Sequence, residues 1–245
     1  MKTMRRSAWT LLVAAVTLVT ALAAAAAANT LIGTDNADQL TGGETPDQIY
    51  GEGGSDSLSG AGSGDYLEAG SGDDAVDGGD GVDLLLGGTG NDRLDAGTGG
   101  DVVYAGAGED LVLGGQGDDT LFGQSEADRL FGGAGRDRIY ASLGGDFVDA
   151  GSGADRISAE GGAATILAGG GDDSVTGSGG VIDVQGGGGS DSIDAGAGDD
   201  TVNALDGRRD RVICGDGQDT AAVDPFDVVS GCESVSSRRP ALRRR

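Results

Sequence analysis

Histidine is absent from this 245-residue chain, and lysine occurs once, at Lys2. Together these absences exclude Ser-His and Cys-His nucleophilic chemistry and histidine-held metals. Aromatic residues make up only 4% of the chain, so a single core packed from large apolar side chains is not expected. Basic residues are scarce as well, 16 against 41 acidic, for a net charge of −25. Such a body repels nucleic-acid phosphates and attracts cations. With two cysteines, Cys214 and Cys232, one disulfide is possible in an oxidising compartment. Acidity with few aromatics is ordinarily the composition of a disordered chain, unless the sequence repeats.

The N-terminus has the form of an export signal. Lys2, Arg5 and Arg6 precede an apolar run, Ala8 to Ala28, that ends in alanines. Residues 1–28 therefore read as a signal peptide, and removing them takes three positive charges and no negative ones, from −25 to −28. No membrane span is expected after cleavage, and the protein is expected outside a bacterial cell. The sequence leaves Sec and twin-arginine export undistinguished.

Steps of nine from Leu40 give Ile49, Leu58, Leu67, Val76, Leu85 and so on to Val202 without insertion, and every position is aliphatic. Two residues before each stands Asp, except at Ala164 and Ile182. Compositional bias predicts neither the fixed phase nor the aliphatic identity. A strand of about three residues buries one alternate side chain, and Gly-rich turns reverse the chain because Gly reaches positive φ cheaply. Two nine-residue units then close one coil of eighteen, and coils stack as parallel strands around a thin aliphatic column. The turns bring carbonyls and carboxylates together, an oxygen-rich setting that suits Ca²⁺.

The units "GGDGVDLL" (Gly78 to Leu85), "GGTGNDRL" (Gly87 to Leu94), "GGQGDDTL" (Gly114 to Leu121) and "GGAGRDRI" (Gly132 to Ile139) resemble the hemolysin-type calcium-binding repeat, the RTX nonapeptide GGxGxDxUx. The resemblance runs from Gly33 to Val202. It implies an all-β, right-handed parallel β-roll, here of about nine coils and roughly 45 Å long, with Ca²⁺ between turns eighteen residues apart. The repeat occurs in toxins, proteases and lipases behind a catalytic or pore-forming domain. Here a signal leads directly into the repeats with no upstream domain expected, so only the calcium role is carried over.

Eighteen-residue spacing sorts the turns onto two edges. The first carries Asp47, Asp65, Asp83, Asp101, Asp119, Asp137, Asp155, Asp173 and Asp191. Its glycine pairs are complete over seven turns: Gly79 with Gly81, Gly97 with Gly99, Gly115 with Gly117, Gly133 with Gly135, Gly151 with Gly153, Gly169 with Gly171, and Gly187 with Gly189. The second carries Asp38, Asp56, Asp74, Asp92, Asp110, Asp128, Asp146, Ala164, Ile182 and Asp200. Its good turns are Gly70 with Gly72, Gly88 with Gly90 and Gly106 with Gly108. It is expected to go bare from about Gly123 to Ile182, with Gly196 and Gly198 recovering alone. The metal ligands expected are Asp74, Asp83, Asp92, Asp101, Asp110, Asp119, Asp137, Asp155, Asp173, Asp191 and Asp200 with nearby turn carbonyls. One ion between adjacent good turns gives about six on the first edge and two on the second, about eight in all.

Outward positions predict an apolar ladder of Leu86, Tyr104, Phe122 and Tyr140, flanked by Leu84 and Val102. Such a ladder either stiffens the sheet or docks a cell-envelope glycan or protein. The expected layout is a roll over 29–203, a capping segment over 204–236 and a basic tail over 237–245. Cys214 and Cys232 are eighteen residues apart, one coil, close enough for a disulfide at the open end. Asp210, Asp216, Asp219 and Asp227 offer one more ion site. The tail Arg238 to Arg245 is either a solvated end or a contact for anionic envelope polymer.

The function expected is calcium binding by a secreted protein that folds with its ions, in a structural or adhesive role and without enzymatic activity. The alternatives are a non-catalytic remnant or accessory of an RTX toxin or hydrolase system, and a carboxylate-dependent glycan-active enzyme.

Overall fold

The computed structural model describes residues 28–237. These contain twenty-four strands and no helix, in two twelve-stranded parallel sheets. The first sheet stacks β1 (Thr30–Thr34), β3 (Gln48–Glu52), β5 (Tyr66–Ser71), β7 (Leu84–Thr89), β9 (Val102–Ala107), β11 (Thr120–Ser125), β13 (Arg138–Tyr140), β15 (Arg156–Ala159), β17 (Ser174–Gly177), β19 (Ser192–Asp194), β21 (Arg211–Ile213) and β23 (Val228–Ser230). The second stacks β2 (Gln39–Thr41), β4 (Ser57–Gly62), β6 (Ala75–Asp80), β8 (Arg93–Thr98), β10 (Leu111–Gln116), β12 (Arg129–Ala134), β14 (Gly145–Ser152), β16 (Ala163–Leu167), β18 (Ile182–Gln185), β20 (Thr201–Ala204), β22 (Thr220–Val223) and β24 (Ser234–Ser237). Consecutive strands alternate between sheets, so the chain winds as a parallel β-roll.

The nine-residue beat sets the register. Leu67 pairs with Leu85, Leu85 with Val103 and Val175 with Ile193, always eighteen residues on. These aliphatics are buried, and small residues such as Ala69, Ala96 and Ala150 fill the remaining interior. The buried apolar positions are aliphatic or small and none is aromatic, in keeping with the scarcity of aromatics.

The roll has twelve coils, not nine. Leu31 pairs with Ile49, adding a coil before Leu40. At the far end one extra residue shifts the pairing to nineteen, Ile193 with Val212 and Val202 with Ala221, and the winding continues through β24. Twelve coils at strand spacing give a length of about 53 Å rather than roughly 45 Å. The segment 204–236 thus contributes β21 to β23 and most of β24 to the same sheets. Cys214 and Cys232 are disulfide-bonded, with α-carbons 5.1 Å apart. The local register there is seventeen, Ile213 against Ser230, so Cys232 lies one residue beyond the position level with Cys214. The expected signal peptide, save Ala28, and Arg238 to Arg245 lie outside the described residues.

The predicted ladder stands on the first sheet. Tyr104, Phe122 and Tyr140 stack with centroids 4.6 and 4.7 Å apart and planes within 7° of parallel. A second apolar cluster, unforeseen from the sequence, sits on the other sheet, where Phe131 meets Phe147 at 5.7 Å and Arg129 lies over the Phe131 ring.

Candidate metal centre

Most reversals of the chain between the sheets are glycine-rich and end in Asp. The second and fourth turn residues take positive φ, as at Gly115 (φ 102) and Gly117 (φ 130). A Cβ on Gly117 would run into the carbonyl oxygen of Gly99 one coil below, so the stacking demands glycine sterically as well as conformationally. The same holds to the end of the first edge. Gly169 with Gly171 and Gly187 with Gly189 all take positive φ, and a Cβ on Gly171 would strike the Gly153 carbonyl oxygen, one on Gly189 that of Gly171. Several turns lacking glycine keep the same conformation. Glu52, Ala61, Ser63, Gln124, Glu126 and Ser142 all have φ between 66 and 81. Such residues hold a strained backbone that costs on the order of 1 kcal/mol each.

The aspartates that close the turns form two buried columns. On the first edge Asp65 N–H donates to Asp83 Oδ1 at 2.7 Å, Asp83 to Asp101 at 2.8 Å and Asp101 to Asp119 at 2.8 Å. This chain of bonds is unbroken from Asn29 N–H to Asp227 Oδ1. All the expected ligands lie in the columns, Asp83, Asp101, Asp119, Asp137, Asp155, Asp173 and Asp191 on the first edge and Asp74, Asp92, Asp110 and Asp200 on the second. Asp210, Asp219 and Asp227 join them, whereas Asp216 is exposed in its turn.

Asp38, Asp47, Asp56, Asp65, Asp128 and Asp146 occupy the columns too, although their turns had been discounted for missing glycines. Glu233 ends the second column by accepting from Asp219 N–H at 2.8 Å. The sequence signal that finds these late members is a one-residue phase shift at Arg208-Arg209, after which the beat resumes at Val212 and Ala221.

The second column runs intact to Asp146, further than expected, and breaks only at Ala164 and Ile182. There strand pairing enters the turn. Asp146 pairs with Ala164 and Ala164 with Ile182 across β14, β16 and β18. Ile182 Cδ1 stands 2.9 Å from where a Cβ on Gly177 would be, the place Asp191 Oδ2 takes beside Gly186 at 2.9 Å. Where Asp is lost, backbone pairing replaces the carboxylate's hydrogen bond and a methyl group replaces its oxygen.

The columns are electrostatically unresolved by the protein itself. Fifteen buried Oδ2 atoms, among them those of Asp83, Asp101 and Asp119, accept no hydrogen bond, although buried polar groups ordinarily do. The one salt bridge among the described residues, Arg93 to Asp95 at 3.3 Å, is on the surface. Burial pushes Asp128 up to about 8, opposed by the Asp110 N–H and reinforced by the Asp110 and Asp146 charges. Burial likewise raises Asp92, Asp137 and Asp173 to about 7, and Asp65, Asp101, Asp119 and Asp210 to about 6.

A hard divalent cation fits this donor set. Among the described residues no three acidic side chains converge on one point, so an ion held here must draw on backbone carbonyls as well, as Ca²⁺ does. The turns bring such oxygens close: the Gly81 carbonyl oxygen and Asp101 Oδ1 both lie against Gly99, and the Gly135 carbonyl oxygen and Asp155 Oδ1 both lie against Gly153. Transition metals that prefer nitrogen or sulfur find no such ligand.

Fold and turns thus define a parallel β-roll whose reversals are lined by carbonyl and carboxylate oxygens. The RTX calcium-binding nonapeptide repeat family model matches residues 32–67, 50–85, 59–94, 86–121, 113–148, 122–157, 158–181 and 183–210. These matches span well over half the chain, and the chain belongs to the RTX calcium-binding nonapeptide repeat family. Calcium binding is the activity that membership carries. A search of curated proteins found no match.

Proposed function

We propose that this is an exported, non-enzymatic protein whose roll folds as calcium enters its turns, serving as a structural or adhesive element outside the cell. The observation that carries the reading is the set of buried Oδ2 atoms with neither donor nor counter-cation. A fold that buries so many carboxylates without partners is incomplete until a cation offsets their charge. Calcium bound in a turn supplies that positive charge. The chain's part is to aim Asp oxygens and glycine carbonyls at the same points and to hold them on stacked strands.

The ligands proposed are those named from the sequence, with one addition. Gly196 and Gly198 stack directly against Gly215 and Gly217, all at positive φ, with Asp200 and Asp219 in register. This pair of turns raises the count from about eight ions to about nine. No helix among the described residues is long and apolar enough to cross a membrane. Export rests on the N-terminal sequence pattern. Circular dichroism in EDTA and then in millimolar calcium tests the coupling, with strand content expected to rise as calcium is added. A strand-rich spectrum identical in both conditions, or a calorimetric count of one or two ions per chain, overturns it.

The outward ladder supports stiffening of the first sheet. Ring faces are where aromatic docking is strongest, and in Tyr104 and Phe122 they are largely turned against each other.

A further inference from the structure

The aromatic ladder stops abruptly. Tyr140 is its last ring, and the next two residues in register are Ser158 and Thr176. Phe122 covers one face of Tyr140. The other side opens on a cleft of about 200 Å³ lined by Tyr140, Arg156, Ile157, Ser158, Ser174 and Thr176. The step from a ring to a serine leaves the space of one further rung.

The chemistry of the cleft is unlike the rest of this acidic surface. Arg138 and Arg156 stand side by side in register, and neither is ion-paired among the described residues. Of the two, Arg156 lines the cleft, and its planar guanidinium fork can meet a carboxylate with two parallel hydrogen bonds. Ser158, Ser174 and Thr176 line it as well. Glu160, which accepts from Ser158 Oγ at 3.3 Å, does not line the cleft.

We propose that this cleft binds a small planar aromatic carboxylate, its ring stacked on the free face of Tyr140 as the next rung and its carboxylate held at Arg156. The parallel geometry of the existing rungs, 3° and 7° between planes, favours a flat ring over a puckered one. The cleft accommodates one such ring. This inference is independent of where calcium binds and requires only that the roll be folded.

The test titrates the full chain in calcium-containing buffer with 4-hydroxybenzoate, followed by calorimetry and ligand-observed NMR. Cyclohexanecarboxylate and galacturonate serve as puckered-ring comparators. Saturable binding of the aromatic acid is expected, with both comparators at least about fivefold weaker. Tyr140→Ser and Arg156→Gln should each weaken binding about tenfold, with circular dichroism unchanged. Ser158→Phe supplies the missing rung from the chain itself, and should abolish binding while raising the melting temperature. Absence of saturable binding by the wild type, equal binding of either comparator, or full binding by Ser158→Phe overturns the proposal.

Discussion

Asp119 in the intact column has, like Asp137, no exposed surface, and replacing it by Asn isolates what the buried charge does. Asn keeps an oxygen to accept the Asp101 N–H, bonded at 2.8 Å, and puts a neutral amide where the unpartnered Oδ2 stands. Burial raises the Asp119 pKa from 3.8 to about 6, and the Asp101 charge adds to this against the Asp101 N–H. At ~1.4 kcal/mol per pH unit, holding that carboxylate ionised at neutral pH costs the metal-free fold about 1–3 kcal/mol. Asp119→Asn should therefore stabilise the metal-free protein by that order. In millimolar calcium the same substitution removes a ligand charge, and its sign should reverse to a loss of comparable size. Urea melts followed by circular dichroism at pH 7, in EDTA and in calcium, read both arms. Where the metal-free chain shows no melt, the calcium needed for half-folding is the readout, and it should rise. Equal destabilisation with and without calcium, or no effect in either, would refute the claim that the column's charge awaits a cation. Asp118→Asn, exposed in the same turn, removes a charge that adds to the rise in the Asp119 pKa, and should show only a smaller stabilisation without calcium.

The column's raised pKa values give pH the opposite sign to ordinary acid denaturation. Each group binds its proton more tightly folded than unfolded, so its unfavourable contribution is complete above the folded pKa and vanishes below about 3.9. With Asp128 at about 8 and Asp92, Asp137 and Asp173 at about 7, the metal-free roll should gain stability as pH falls from 8 toward 5, measured by melts in EDTA. Calcium competes with those protons, so apparent calcium affinity should fall over the same range in calorimetric titrations. Gly117→Ala, which drives a Cβ at φ 130 into the Gly99 carbonyl oxygen, should cost at least about 3 kcal/mol, whereas Gly170→Ala, whose Cβ meets nothing within 4 Å, should fall within about 1 kcal/mol of wild type. Equal melting temperatures for the two variants would undo the steric account of the turns. Reducing the Cys214–Cys232 bond should fray β21 to β24 first, seen as early loss of amide protection there, with the central coils unchanged.

The repeat made the fold readable because the interior is one-dimensional. Leu85 stacks between Leu67 and Val103, and all three share a phase visible in the sequence. The last coils escaped because a single residue added at Arg208-Arg209 breaks that phase without breaking the sheet: the turn absorbs the insertion and Val212 still stacks on Ile193. The site was legible where glycine reports the turn, as at Gly79 and Gly81 or at Gly187 and Gly189. It was underestimated where Glu52 or Gln124 adopts the same positive φ without glycine, since a strained backbone leaves no mark in residue type. The second apolar cluster was missed for a related reason. Phe131 and Phe147 are not one coil apart in phase and meet diagonally, so no single column contains both.

Ala164 and Ile182 separate two demands that the other turns conflate. Their units keep the interior aliphatics Ile166 and Val184, both fully buried, because a gap in the central column has no substitute. The closing acid has substitutes. Pairing of Asp146 with Ala164 and of Ala164 with Ile182 takes over the backbone donors, and the Ile182 side chain fills the carboxylate's volume with no charge to offset. A turn of this kind is complete without a cation, whereas the opposite turns at Asp155 and Asp173 are not, since each keeps a buried Oδ2 that accepts no hydrogen bond. Coils near Ala164 therefore carry about half the uncompensated charge of coils near Asp110 and Asp119. On electrostatic grounds these coils should be the last to unwind as calcium is withdrawn, seen as amide protection there outlasting that of the coils near Asp110 and Asp119.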